Sequence, residues 1–179
     1  MTGTVVESAR LRLRPFEMDD FEAFAAFSAD GERNRFRGGG RSRIEAWNEF
    51  CAIAGQWSLR DVGVLAAEER ETGQTMGFAG LWFPIDVDEP ELMWSLYPDF
   101  EGKGYATEAA RAMQVWAHEA RGLPPLMSFM DPDNTASRKV AERLGATLEG
   151  ACTFRGRHTL IYRHAMPEAK NEPPNQQID

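Results

Sequence analysis

Apolar and polar residues alternate with a period of two in Arg10-Leu11-Arg12-Leu13-Arg14. This predicts a strand with leucines toward a core and arginines outward, ended by Pro15. The period then lengthens. Asp19 or Asp20 is placed to cap a helix whose Phe21, Phe24, Ala25 and Phe27 share one side. Ser42-Arg43-Ile44-Glu45 has the form of a capping box and opens a second helix, with Ile44, Trp47, Cys51, Ala54 and Trp57 on roughly one face. On that reading Cys51 fills the core rather than serving as a nucleophile. Val62 to Glu69 and Gln74 to Phe83 read as strands joined around Thr72-Gly73, and Pro84 stops the second. Glu91 to Tyr97 is a third strand. A helix from Gly104 to Arg121 sets Ala106, Ala109, Ala110, Met113, Trp116, Ala117 and Ala120 on one side and ends at Gly122, ahead of Pro124. Leu126 to Phe129 is a short strand, a further helix opens at Asn134, and Thr147 to Phe154 with Arg157 to His164 form a closing hairpin around Arg155-Gly156. The order predicts an α/β fold: a mixed, mostly antiparallel sheet of about seven strands flanked by helices. Residues 1–166 are expected to form one domain and residues 167–179, polar with two adjacent prolines, a disordered tail.

Chemistry concentrates where the third strand of that sheet meets its helix. Tyr97-Pro98-Asp99-Phe100-Glu101-Gly102-Lys103-Gly104-Tyr105-Ala106-Thr107 joins them through a turn with two glycines. Glycine lets the backbone come close to a ligand, and the amides opening the helix lack intrahelical partners. With the helix dipole they favour phosphate, although an ordinary strand-to-helix turn has the same outline. A phosphate-binding P-loop is excluded, because Gly102-Lys103-Gly104 lacks the spacing and the Ser/Thr after Lys. Pro98 and the glycines also interrupt strand pairing, so the sheet is expected to part after Tyr97.

Charge narrows the function further. The chain of 179 residues has a net charge of −8, which argues against general affinity for nucleic acid or anionic membranes. Cys51 and Cys152 are far apart, and His118, His158 and His164 show no ligand spacing, so neither zinc nor disulfides are indicated. No apolar run approaches the roughly 18 residues of a membrane span, and Met1 to Pro15 lacks a signal-peptide core, so a cytoplasmic location is expected. One segment stands out against the acidic background. Asp30 to Arg41 carries Arg33, Arg35, Arg37 and Arg41, with Arg43 just beyond. It reads either as a solvated connection or as a loop that recognises carboxylate or phosphate.

Glu101-Gly102-Lys103-Gly104-Tyr105-Ala106 resembles the Arg/Gln-x-x-Gly-x-Gly/Ala signature of the GNAT acetyltransferase superfamily, with Glu101 departing at the first position. Asn134-Thr135-Ala136-Ser137 through Leu144-Gly145-Ala146 resembles its second signature, with Ala146 in place of the usual Phe. The resemblance spans about Arg10 to Ala165 and is closest to the branch of ribosomal-protein N-terminal acetyltransferases. It implies an acetyl-CoA-dependent N-acetyltransferase acting on a protein N-terminus or a small-molecule amine, without a metal, as monomer or homodimer. Gly102, Lys103, Gly104, Tyr105, Ala106 and Thr107 would hold the pyrophosphate. Ser95, Leu96 and Tyr97 would pair their backbone with the pantetheine arm in a V-shaped split, with Asn134 and Ser137 on its other side. Glu91 matches the family's Glu-x-x-Tyr/Trp and is the candidate base, the alternative being a strand-edge surface carboxylate. The family's usual acidic Tyr corresponds to Ala141, which leaves Ser137 as the candidate acid or thiol hydrogen-bond donor, with Tyr97 and Tyr105 as substitutes. Asn134 also reads simply as an N-cap. The arginine segment lies beside the acceptor site in that family, which implies a preference for anionic acceptors. Glu101 and the missing Tyr leave room for a catalytically weak acetyl-CoA-binding module. An RNA-associated role for the arginine segment is disfavoured by the net charge.

Overall fold

The computed structural model describes residues 3–167, so the expected tail at 167–179 lies, apart from Pro167, outside the described residues. Eight strands form one sheet: β1 (Val6–Glu7), β2 (Leu11–Arg14), β3 (Val64–Glu69), β4 (Thr75–Trp82), β5 (Glu91–Leu96), β6 (Met127–Met130), β7 (Thr147–Phe154) and β8 (Arg157–Arg163). Their spatial order is β1-β2-β3-β4-β5-β6-β8-β7. Every pairing is antiparallel except β5 with β6. The sheet exceeds the expected seven strands because Val6–Glu7, too short to show a period, adds an edge to β2.

Helices α1 (Phe21–Ala29) and α2 (Arg43–Arg60) cover one face, and α3 (Tyr105–Arg121) and α4 (Thr135–Arg143) cover the other. The α1 prediction holds in detail, with Phe21, Phe24, Ala25 and Phe27 all buried. Asp20 does not cap that helix through its side chain. It is buried, takes both Arg14 guanidinium N–H groups at 2.7 and 3.0 Å, and accepts from the Thr75 hydroxyl and the Glu17 amide. Burial opposes its ionisation, yet these donors prevail and hold its pKa below the ordinary carboxylate value.

On α2 the capping box forms as read, Ser42 with Glu45. The buried face does not. Ala46, Phe50, Ile53 and Gln56 face inward, whereas Ile44, Trp47, Cys51 and Ala54 are exposed. Both stripes have helical spacing, and the aromatic cluster decides between them: Phe50 lies 5.2 to 5.5 Å from the rings of Phe16, Phe21 and Phe24. Cys51 is therefore not a core residue. Helix α3 buries Ala109, Ala110, Met113 and Ala117 as predicted, while Ala106 and Trp116 are half-buried and Ala120 is exposed. Gly122 ends it in the left-handed conformation.

Candidate active site

The split in the sheet lies between β5 and β6, whose parallel register contains one pair, Glu91 with Met127. It opens several residues before Tyr97, where the sequence had placed it. Side chains, not Pro98, divert the ladder. The Phe129 amide, which a continued parallel ladder would give to β5 backbone, donates instead to Glu91 Oε1 at 3.1 Å. The Ser128 hydroxyl reaches the Leu92 carbonyl at 2.5 Å and lies 2.8 Å from His164 Nε2. His164 is buried, its Nδ1 has no hydrogen-bond partner among the described residues, and burial holds its pKa down at about 4, so the ring is neutral. Ser128 and His164 were missed in the sequence because neither belongs to a motif. Only the register of three strands brings them to Leu92.

Below that point the edge of β5 is open, and strand alternation fixes which groups it offers. Tyr97 N–H donates to the Met76 carbonyl on β4 at 2.8 Å. Ser95 opposite Phe78 lies two residues back in the same register and also faces β4. Trp94 and Leu96 therefore turn their N–H and C=O groups into the split. Of the three residues expected to pair their backbone with a bound arm, Leu96 turns these groups into the split and Ser95 and Tyr97 turn theirs to β4, and Trp94 shares the open edge with Leu96.

At the end of β5, Gly102 and Gly104 have φ of +74° and +82°, and Gly104 caps α3. A left-handed residue followed at once by a helix turns successive amides toward one point, the arrangement that receives an anion. The remaining residues of the loop are braced from behind. Arg10 donates to the Lys103 carbonyl at 3.1 Å, stacks on the Tyr105 ring and binds Glu108. The Tyr105 hydroxyl is bonded to Glu69, which raises its pKa, and Ala106 and Thr107 lie in the first turn of α3. Glu101, the departure from the signature, is neutralised by an ion pair with Arg33. The loop thus fits a pyrophosphate through its amides.

Glu91, Met93 and Tyr97 point to the α1–α2 side, and Leu92, Trp94 and Leu96 to the α3 side. Burial raises the Glu91 pKa from 4.5 to about 7, against the opposing pull of the Phe129 amide, Arg155 and Arg37. The residue is half-buried. Four connections, β4–β5, β6–α4, β7–β8 and α1–α2, are joined near it by arginine contacts. Arg155 forms a two-point pair with Asp86, and Arg157 reaches both Asp131 at 2.9 Å and the Arg35 carbonyl at 3.2 Å. Phe129 and Phe154 stack nearby at 4.5 Å. The arginine segment is tied down by ion pairs, with Arg35 and Arg43 still exposed: Arg33 pairs with Glu101, Arg35 with Glu32, Arg37 and Arg41 with Glu49, and Arg43 with Glu22. Arg37 and Arg41 share the single carboxylate of Glu49, so a net positive charge stays there, while Arg33, Arg35 and Arg43 each have an acidic partner.

Ser137 stands half-buried in the first turn of α4, where its amide is accepted by Asn134 Oδ1 at 3.2 Å. The side-chain oxygen of Asn134 is thus a helix cap. Tyr97, the other substitute acid, is buried, has no partner for its hydroxyl among the described residues and has its pKa pushed well up by burial and by Asp20.

An open sheet edge thus leads into an amide-lined turn, with a carboxylate of raised pKa where the edge begins. The family described as "Acetyltransferase (GNAT) domain" matches residues 10–147, and the chain belongs to that family. An acetyltransferase structure from Agrobacterium tumefaciens superposes with a TM-score of 0.85 at 36% identity, covering 92% of this chain and 96% of that one. The ribosomal L7/L12 alpha-N-protein acetyltransferase RimL in complex with coenzyme A shares the fold at 15% identity, with a TM-score of 0.74 and coverage of 91% and 98%. The Bacillus subtilis protein YkkB is 33% identical over 50% of this chain, and the match spans only 56% of YkkB. Among the described residues no helix is long and apolar enough to cross a membrane.

Proposed function

We propose that this chain is an acetyl-CoA-dependent N-acetyltransferase in which a primary amine, on a protein N-terminus or a small molecule, attacks the thioester directly, with Glu91 as the base. The observation that carries the proposal is the Glu91 pKa of about 7 at the apex of the split. An exposed carboxylate near ~4 is mismatched to an alkylammonium near ~10, and burial closes about half of that gap. Glu91 takes the proton that the amine must lose, directly or through one water.

The other residues hold and polarise the donor. The amides of Gly102 to Ala106 receive the pyrophosphate, and Trp94 and Leu96 extend the sheet by pairing with the arm. One of these two amides faces the thioester oxygen as negative charge develops on it. When the C–S bond breaks, the Ser137 hydroxyl hydrogen-bonds the departing sulfur, whose conjugate thiol has a pKa near ~8.5 and requires little acid assistance. Tyr97 and Tyr105 are unsuited to that task, the first buried with a raised pKa and the second bonded to Glu69. Glu101 is paired with Arg33, which leaves the missing Tyr as the argument for a binding module without turnover. A panel of peptide N-termini and small amines incubated with acetyl-CoA, followed by free thiol release, tests the proposal. Release with at least one amine is expected. Thiol release that never exceeds the amine-free rate contradicts it.

A further inference from the structure

Where β5 and β6 part, one ladder hydrogen bond is replaced by two side-chain bonds. With Glu91 opposite Met127 in parallel register, the next bond along the ladder would run from the Phe129 amide to the Leu92 carbonyl. Neither group is left bare. Glu91, beside Leu92 on β5, takes the Phe129 amide, and Ser128, beside Phe129 on β6, gives its hydroxyl to the Leu92 carbonyl at 2.5 Å. A serine hydroxyl has one proton, and two oxygens this close require it between them. His164 Nε2, 2.8 Å from Ser128 Oγ, is therefore the donor to that oxygen, and the neutral ring carries its proton there. Ser128 is 2% exposed and His164 1%. The imidazole is anchored in turn: the His164 amide donates to the Leu126 carbonyl at 2.8 Å, the ring meets Trp94 edge-on at 6.2 Å, and Gln114 of α3 donates to the adjoining Ala165 carbonyl at 2.6 Å. Stability alone does not account for this arrangement. A backbone bond from Phe129 to Leu92 would satisfy both groups without burying an imidazole whose Nδ1 has no hydrogen-bond partner among the described residues, and an unpaired buried polar atom is unfavourable.

We propose that Ser128 and His164 are positioning residues for acetyl transfer: by capping the Leu92 carbonyl they stop the β5–β6 ladder beside Glu91, which keeps the Phe129 amide on the Glu91 carboxylate and leaves the Trp94 amide free to face the thioester oxygen. The proposal rests on the acetyl-transfer reading. Without the Ser128 hydroxyl the ladder extends by one bond, from Phe129 to Leu92, and two changes follow. Glu91 loses the backbone donor that favours its ionised form, and only the charges of Arg155 in the β7–β8 turn and Arg37 in the α1–α2 connection still favour it. The Trp94 amide, next along the same edge of β5, is drawn toward the Phe129 carbonyl.

Ser128→Ala tests both changes. Loss of one amide donor should move the Glu91-dependent limb of the thiol-release profile up by about one pH unit. Relative to the wild type, kcat/KM should then fall about five-fold at pH 7 and return to within about two-fold at pH 9. Hydrogen exchange by NMR on the free protein, where no turnover is involved, should show the Trp94 amide exchanging more slowly in Ser128→Ala than in the wild type. If Ser128→Ala misfolds by far-UV circular dichroism, His164→Leu, which removes the donor that orients the hydroxyl, should give the same two changes. A rate loss that is equal at pH 7 and pH 9, or a Trp94 amide that exchanges as in the wild type, overturns the proposal. A wild type that releases no thiol with any amine overturns the acetyl-transfer reading instead, and Trp94 exchange still decides whether Ser128 stops the ladder.

Discussion

Replacing Glu91 with Gln keeps the shape of the residue and leaves an oxygen to accept the Phe129 amide, so the change isolates charge. Two effects of opposite sign follow. Loss of a positioned base costs about 10²- to 10⁴-fold in turnover and removes the limb of the kcat/KM profile governed by the Glu91 pKa of about 7. Stability moves the other way. The folded-state pKa is raised above its unfolded value of 4.5, so the native state favours the protonated form. That contribution is complete below pH 4.5 and is lost as pH rises through about 7. Ionised Glu91 then costs on the order of 3 kcal/mol. Glu91→Gln should be as stable as the wild type at pH 4.5. At pH 8 it should melt higher by on the order of 6–12 °C, with the gain developing across that interval. Differential scanning fluorimetry from pH 4.5 to 8 and thiol-release kinetics on the same preparations measure both effects. A Tm difference independent of pH would show that Glu91 is not held out of water, and an unchanged pH–rate profile would remove it from the chemistry.

Gly104→Val forces a β-branched residue to φ near +82° and should abolish the rise in Tm that saturating acetyl-CoA gives the wild type; an undiminished rise would place the phosphates elsewhere. Ser137→Ala should lower kcat several-fold with an unchanged acetyl-CoA Kd by calorimetry, and a loss confined to Kd would reassign the hydroxyl to binding. Asp20→Ala strands Arg14, whose side chain is 11% exposed, and should cost about 3 kcal/mol in urea unfolding at pH 7. A cost below about 0.5 kcal/mol would mean that Glu68 suffices as a partner for Arg14.

The parts of the fold visible in the sequence are those that one element determines alone. The Leu11–Leu13 alternation, the Phe21–Phe27 stripe, the Ser42–Glu45 box and the glycine turn at 102–104 each carry their physics locally. The inward face of α2 was not legible, because Phe50 and Trp47 both lie on apolar stripes and the rings of Phe16 and Phe24, which meet Phe50, select between them. Glu91 could be named from its motif but not weighed, since its raised pKa arises from burial that no local pattern encodes. The choice of Trp94 and Leu96 over Ser95 and Tyr97 depends on the parity of the β4–β5 ladder, a property of two strands. The arginines from 33 to 43 read as available charge because their partners, Glu49 and Glu101 among them, lie on other elements.

Amide hydrogen exchange read residue by residue by NMR, with and without saturating acetyl-CoA, tests most directly whether the split between β5 and β6 holds the donor. Trp94 and Leu96 should exchange fast in the free protein and slow markedly on addition of acetyl-CoA, while Tyr97, already bonded to Met76, changes little. Trp94 and Leu96 amides that exchange at the same rate in both states would contradict the account.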